Sequence, residues 1–211
     1  MKFAQLVLFV SILFNPLPGL VTVAQAAQLP GPPLSGSPEE HADLVQLLAL
    51  QNTRTAEDCA KALADAETNL ANFYGAPNGP LTSVEVKKWD QFITAQQLPV
   101  SAAATQAKND WKRLRPYLTH SEVVPCLPLE KSFSYPSKHA ALAEFEAKIL
   151  TIAYPDRAEQ LAARAKELAF DRVIGGVHYP SDIQGGRLLG DAIFDEKNQD
   201  GSFEKLIRAQ L

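Results

Sequence analysis

Prolines divide this chain into stretches that each carry a helical pattern, and that division limits the folds open to it. Pro77, Pro99, Pro116, Pro155 and Pro180 stand at the edges of such stretches. A proline ring lacks an N–H and clashes with the preceding turn, so it stops a helix or opens one. Leu44, Leu47, Leu48 and Leu50 recur at roughly helical spacing within residues 39–53. Thr55 caps a second predicted helix, with Glu57 and Asp58 in its first turn, that runs to about Tyr74. Ser83 to about Gln97 is a third, stopped by Pro99, and Ser101 to Leu114 is a fourth, ending near Pro116. Ser137 caps a fifth reaching about Ala153, and Asp156 to about Phe170 makes a sixth. Pro180 suits the first turn of a last long helix towards Phe194. Alternating β-branched runs are scarce and no internal repeat is visible. The expected fold is all-α, a single-domain helical bundle over residues 39–211.

The N-terminus reads as a signal peptide, residues 1–26. Lys2 precedes an apolar run from Phe3 to Phe14, and Ala24-Gln25-Ala26 offers a cleavage site. No charged residue falls between Lys2 and Glu39, so an uncleaved anchor is the alternative. Residues 27–38 (AQLPGPPLSGSP) form a Pro/Gly-rich arm. The remaining chain, about 185 residues, suits one domain and contains no further span-length apolar segment. It is expected to be exported, periplasmic or secreted, with no integral membrane segment once mature. The formal net charge of −4 argues against a nucleic-acid-binding surface, so any anion site must be a local cluster of cations. Cys59 and Cys126 lack metal-ligand or CxxC spacing. They either close a long loop as a disulfide or remain two buried thiols. Oligomeric state is open, and a homo-oligomer is allowed.

Chemistry concentrates in three segments. In DRVIGGVHYPSD, Asp171 to Asp182, an arginine, a histidine and a carboxylate fall close together. Arg172 can hold an oxyanion, His178 can attack or carry a proton, and Asp182 can fix the tautomer of His178. Lys108 and Arg115 lie seven residues apart, a spacing that returns to one face of the predicted fourth helix. Alone, with Lys112 and Arg113 beside them, they read as a solvated basic face. Pro136-Ser137-Lys138-His139 opens the fifth helix, whose N-terminal N–H groups suit an anion. His41 and His120 have no such context and read as surface residues.

Together and in this order, Lys108-x6-Arg115-Pro116, Pro136-Ser137-x-His139 and Arg172-x5-His178-x3-Asp182 resemble the signature of the type-2 phosphatidic acid phosphatase and vanadium haloperoxidase superfamily. The run RVIGGVHYPSDIQGGRL is most similar to the bacterial class A non-specific acid phosphatases. The resemblance implies that Lys108, Arg115 and Arg172 surround a phosphate and that Ser137 and backbone N–H groups add donors. It implies that His178 attacks phosphorus, Asp182 orients His178, and His139 protonates the leaving alcohol. The implied substrate is a small phosphomonoester, and no metal or other cofactor is called for. An acidic pH optimum is expected.

Two positions depart from the family. Lys138 stands where glycine is usual, which matters if the backbone there needs a positive φ; if the residue is helical, Lys138 instead adds a cation. Asp171 stands where serine is common, and its charge is expected to compete for Arg172. The alternatives are a lipid or isoprenoid phosphate phosphatase, a vanadium haloperoxidase, or a non-catalytic phosphate-binding protein.

Overall fold

Short polar side chains open most helices of the computed structural model, which describes residues 29–211. The predicted signal peptide lies outside these residues. Ser37 accepts a hydrogen bond from the Glu40 N–H at the start of α1 (Pro38–Thr53). Thr55 and Asp58 form a reciprocal capping box on α2 (Ala56–Ala64), and Asn69 caps α3 (Leu70–Tyr74). Thr82 and Glu85 form a second capping box on α4 (Ser83–Trp111). The short α5 (Pro116–Thr119) begins with proline. Ser137 accepts from the Ala140 N–H at the start of α6 (Lys138–Ala153). A 3-10 turn at Pro155–Arg157 leads into α7 (Ala158–Ile174), and α8 (Pro180–Lys197) again begins with proline. The last helix is α9 (Ser202–Arg208). Each side-chain cap contributes about 1 kcal/mol by pairing an N–H that a helix leaves unsatisfied. Among the described residues the only β feature is an isolated bridge between Gly75 and Leu81. The expected all-α single-domain bundle is therefore the fold observed.

Three expected boundaries move. Pro99 does not stop a helix, and α4 runs straight through it. Trp89, Ile93, Val100, Ala104 and Ala107 continue one buried stripe across the proline. Burying such a stripe offsets the roughly 3 kcal/mol that an interior proline costs. The helix expected from Thr55 to Tyr74 is divided between α2 and α3. Arg164 enters the break and donates to the Asp65 carboxylate (2.7 Å) and to the Phe73 carbonyl (2.9 Å). The helix expected to carry both Lys108 and Arg115 ends at Trp111, where Lys112 takes a left-handed conformation with φ 51°. Arg115 precedes proline, is extended, and serves as the N-cap of α5. Lys108 and Arg115 therefore do not share a helical face, although both turn inward. Beyond the expected last helix, α9 adds Phe203 and Ile207 to the core.

Helix α6 is the axis of the bundle, with α4, α7, α8 and α9 packed around it. Leu142, Phe145, Ile149 and Leu150 are buried there against Trp89, Ile93, Leu161, Leu168, Leu189 and Ile193. The rings of Phe145, Phe194 and Phe203 close one end, with centroids about 6 Å apart. Helix α8 comes unusually close to α6. A Cβ at Gly186 would lie 2.3 Å from the Ser137 carbonyl oxygen, and one at Gly190 would lie 2.4 Å from that of Ala141. Glycine is required at both positions by this backbone contact.

Cys59 of α2 and Cys126 form a disulfide across 67 residues, so of the two open readings the bonded one holds. Chain-entropy arguments give a crosslink of this span about 4 kcal/mol. A variant with both cysteines replaced by alanine is therefore expected to unfold in urea with its free energy lowered by about that amount. An unchanged midpoint would show that the crosslink does not stabilise the fold.

Candidate active site

The loop between α7 and α8 presents His178. Gly176 takes φ +76° there, and a Cβ on it would come within 3.0 Å of the Pro125 backbone. Arg54 braces the same loop by donating to the carbonyls of Ile174 and Val124. His178 lies just before Pro180, and Asp182 falls in the first turn of α8. His178 Nδ1 is 3.1 Å from Asp182 Oδ2, and its Nε2 is 3.2 Å from Arg115 Nη1. Arginine only donates, so Nε2 carries the lone pair and Nδ1 carries the proton given to Asp182. Burial, then the Arg115 charge, pushes His178 down to about 3, against the opposing pull of Asp182. The ring is therefore neutral throughout the mildly acidic range.

Asp182 is wholly buried, and four donors converge on it. They are Arg113 Nη1 (2.8 Å), the Tyr179 N–H (2.9 Å), the Ser134 hydroxyl and His178 Nδ1. Burial alone would raise this carboxyl, but the hydrogen bond from His178 and the Arg113 charge hold it to about 2. Arg113 also donates to Asp43 of α1 (2.9 Å) and stacks on the Tyr179 ring, 3.9 Å from its centroid. The backbone carbonyl of Asp182 accepts from the Ser137 N–H (2.9 Å). That bond ties the start of α6 to the start of α8, and so sets His139 beside His178.

A cleft of about 520 Å³ opens over these residues, lined by Lys108, Glu130, Lys131, Lys138, His139, Arg172 and His178 among others. Of the expected site residues, Lys108, Lys138, His139, Arg172 and His178 face this cleft, whereas Arg115, Ser137 and Asp182 stand behind it, fully buried. Arg172 Nε and Nη1 and His139 Nε2 are buried with no hydrogen-bond partner among the described residues. Such orphaned groups have the character of a site built for a polar ligand. Lys108 Nζ donates to the carbonyls of Phe133 and Ser134. Burial, then the Arg115 charge, lowers it to about 7. His139 packs against the Phe73 ring, with centroids 4.6 Å apart, and burial followed by the Arg172 charge drives it well below the ordinary imidazole range.

Lys138 is the first residue of α6, with no positive φ, so it is the helical case and keeps its backbone N–H. Its side chain is exposed at the cleft. Asp171 does not compete for Arg172. It turns towards Lys61 (3.4 Å) and Asp65, where burial and the second carboxylate push it up to about 7. The competitor is Glu130, whose carboxylate takes 2.6 Å hydrogen bonds from both Arg115 Nη2 and Arg172 Nη2. His120 is half-buried with its ring edge on Tyr179 and is not the surface residue expected.

Sequence reasoning missed Arg113, Glu130 and Ser134. Arg113 was hidden in a basic run that resembles a solvated face. Glu130 was visible only as the one carboxylate between Glu122 and Glu144. Replacing Arg113 by methionine leaves two buried carboxylates without their shared cation. Breaking a buried pair costs about 3–5 kcal/mol. Urea unfolding at pH 7 should show a loss of that size, and a change of less than about 1 kcal/mol would place Arg113 in the class of surface pairs.

Residues 93–194 match the PAP2 superfamily. A non-specific acid phosphatase of Salmonella typhi is 30% identical over 157 residues, which cover 72% of this chain and 62% of that protein. That of Salmonella typhimurium is 29% identical, covering 84% and 74%, and that of Providencia stuartii is 28% identical, covering 86% and 77%. Among solved structures, a transmembrane PAP2-type phosphatidylglycerolphosphate phosphatase from Bacillus subtilis has a TM-score of 0.57 at 20% identity, covering 85% of this chain and 92% of that one. A bacterial vanadium-dependent iodoperoxidase has a TM-score of 0.56 at 15% identity, covering 91% and 54%. These two share the fold. The chain thus carries, in residues 93–194, a domain of the PAP2 superfamily, and that span includes the cations and both histidines of the cleft.

Proposed function

We propose that this protein is an exported acid phosphatase that hydrolyses small phosphomonoesters through a phosphohistidine intermediate. One observation carries the reading: His178 has its Nδ1 hydrogen committed to Asp182 and its Nε2 lone pair directed at a guanidinium beside a cationic cleft. In that cleft Nε2 gives up its hydrogen bond from Arg115 and forms a bond to phosphorus as the P–O bond to the alcohol breaks in line. Arg172, Lys108 and the N-terminal end of α6 spread the charge of the phosphoryl oxygens. The positive charge that arises on the His178 ring is balanced by Asp182. His139 gives its proton to the departing alkoxide, then takes one from the water that cleaves the P–N bond. Burial and the Arg172 charge disfavour the His139 imidazolium, and an arriving phosphate pulls the other way and favours it. The acid phosphatase relatives support the substrate class. The Cys59–Cys126 disulfide supports an oxidising compartment, and no helix among the described residues is long and apolar enough to cross a membrane.

Incubation with p-nitrophenyl phosphate in EDTA is expected to give turnover between pH 4 and 8, and His178→Ala is expected to lose at least about a thousandfold in kcat. No turnover across that range would refute the assignment. The pH profile has a definite sign. Lys108 is a cation below about 7 and neutral above it, while His178 stays neutral down to about 3. KM should therefore rise as pH passes 7, with kcat/KM largest on the acid side. A profile of kcat/KM that peaks above pH 8 would contradict this account.

A further inference from the structure

The five N–H donors of Arg115 are all engaged. Nε donates to the Ser132 carbonyl (2.8 Å), and Nη1 serves the Val177 carbonyl (2.8 Å) and His178 Nε2 (3.2 Å). Nη2 serves Glu130 Oε2 (2.6 Å) and Ser132 Oγ (3.1 Å). A phosphoryl oxygen can reach Arg115 only where one of these acceptors gives way. Two of them are backbone carbonyls and one is the His178 ring. Glu130 is the charged acceptor of the set, it lines the cleft, and its side chain keeps 37% of its surface exposed. Its second oxygen holds Arg172 Nη2, so one carboxylate spans the two guanidiniums as two oxygens of a phosphate would.

The Glu130 backbone is fixed while its side chain is free to turn. The Tyr117 hydroxyl accepts from the Glu130 N–H (3.0 Å) and donates to the Glu130 carbonyl (2.8 Å). Release therefore needs only side-chain rotation, into a cleft that already admits solvent. Arg172 offers a route of entry, since Nε and Nη1 have no partner among the described residues and can take a first phosphoryl oxygen before Glu130 leaves.

The geometry points to Glu130 as a displaceable internal anion, which occupies the Arg115–Arg172 pair until a phosphoryl group takes its place and so sets the affinity of the cleft for oxyanions. This rests on the reading of the cleft as a phosphate site. Phosphate binding must replace two charge-assisted hydrogen bonds, and the returning carboxylate helps expel product phosphate. Glu130 is held as a carboxylate across the working range, because the charges of Arg115 and Arg172 outweigh burial and lower it to about 2. Acid pH thus does not release it; an anion must.

Glu130→Gln keeps the shape and removes the charge. Calorimetric titration of the full chain with inorganic phosphate is expected to show at least fivefold tighter binding for this variant than for wild type. KM for p-nitrophenyl phosphate should fall in parallel. Glu130→Ala is expected to act in the same direction. If Glu130 were instead a strut that holds two like charges together, both variants would bind phosphate more weakly or unchanged, and that result overturns the proposal. A wild-type structure with inorganic phosphate bound gives a reading that needs no variant. Glu130 should be turned out of hydrogen-bond reach of Arg115, and an intact Glu130–Arg115 pair beside bound phosphate would contradict displacement. Turnover by wild type without tighter binding in Glu130→Gln sinks this inference alone. Absence of both turnover and phosphate binding in every form sinks the phosphatase reading as well.

Discussion

Asp182 is the residue on which the rest of the structure depends. Its carboxylate is buried, a state tolerable only because Arg113, Ser134, the Tyr179 N–H and His178 all donate to it. Its carbonyl receives the Ser137 N–H and so joins the first turns of α6 and α8. Arg113 extends the network to Asp43 and therefore to α1. Fold and chemistry meet in one side chain: the hydrogen bond that sets the His178 tautomer belongs to a network that also holds helices together. The glycine contacts at Gly186 and Gly190 allow α8 to lie near enough to α6 for that network to form.

The electrostatics follow from the same burial. Lys108, Arg113, Arg115 and Arg172 are all withdrawn from solvent in a chain whose formal net charge is −4. Each needs acceptors, and each has been given some. Arg113 holds Asp43 and Asp182, Arg115 and Arg172 share Glu130, and Lys108 rests on two backbone carbonyls. Cations so placed are preorganised for an anion, and little reorganisation is left for the moment of reaction. Burial, together with these cations, depresses both histidines, which keeps His178 nucleophilic and leaves His139 dependent on the bound anion for its proton.

Much of this was legible in the sequence. Thr55 and Ser137 predicted helix starts because a short polar side chain before an apolar-periodic run has one common use. The spacing from His178 to Asp182 predicted their contact because four residues at a helix start bring the two side chains together. Pro99 was misread because local propensity ignores the burial of Val100, Ala104 and Ala107 that outweighs it. Arg113 and Glu130 were not legible for a different reason. Their roles depend on partners 69 residues away for Arg113–Asp182 and 42 for Glu130–Arg172, and no local pattern encodes such pairings. The effect of Lys138 also turned on a backbone angle that only the structure supplies.

The central claim is that His178 carries the phosphoryl group. Rapid quenching of the protein with p-nitrophenyl phosphate into alkali, followed by proteolysis and mass spectrometry, tests it most directly. The account predicts an adduct with the mass of one PO3 group on the peptide that contains His178, formed at a rate at least as fast as turnover. Turnover without such an adduct, or with the group on another residue, would contradict it.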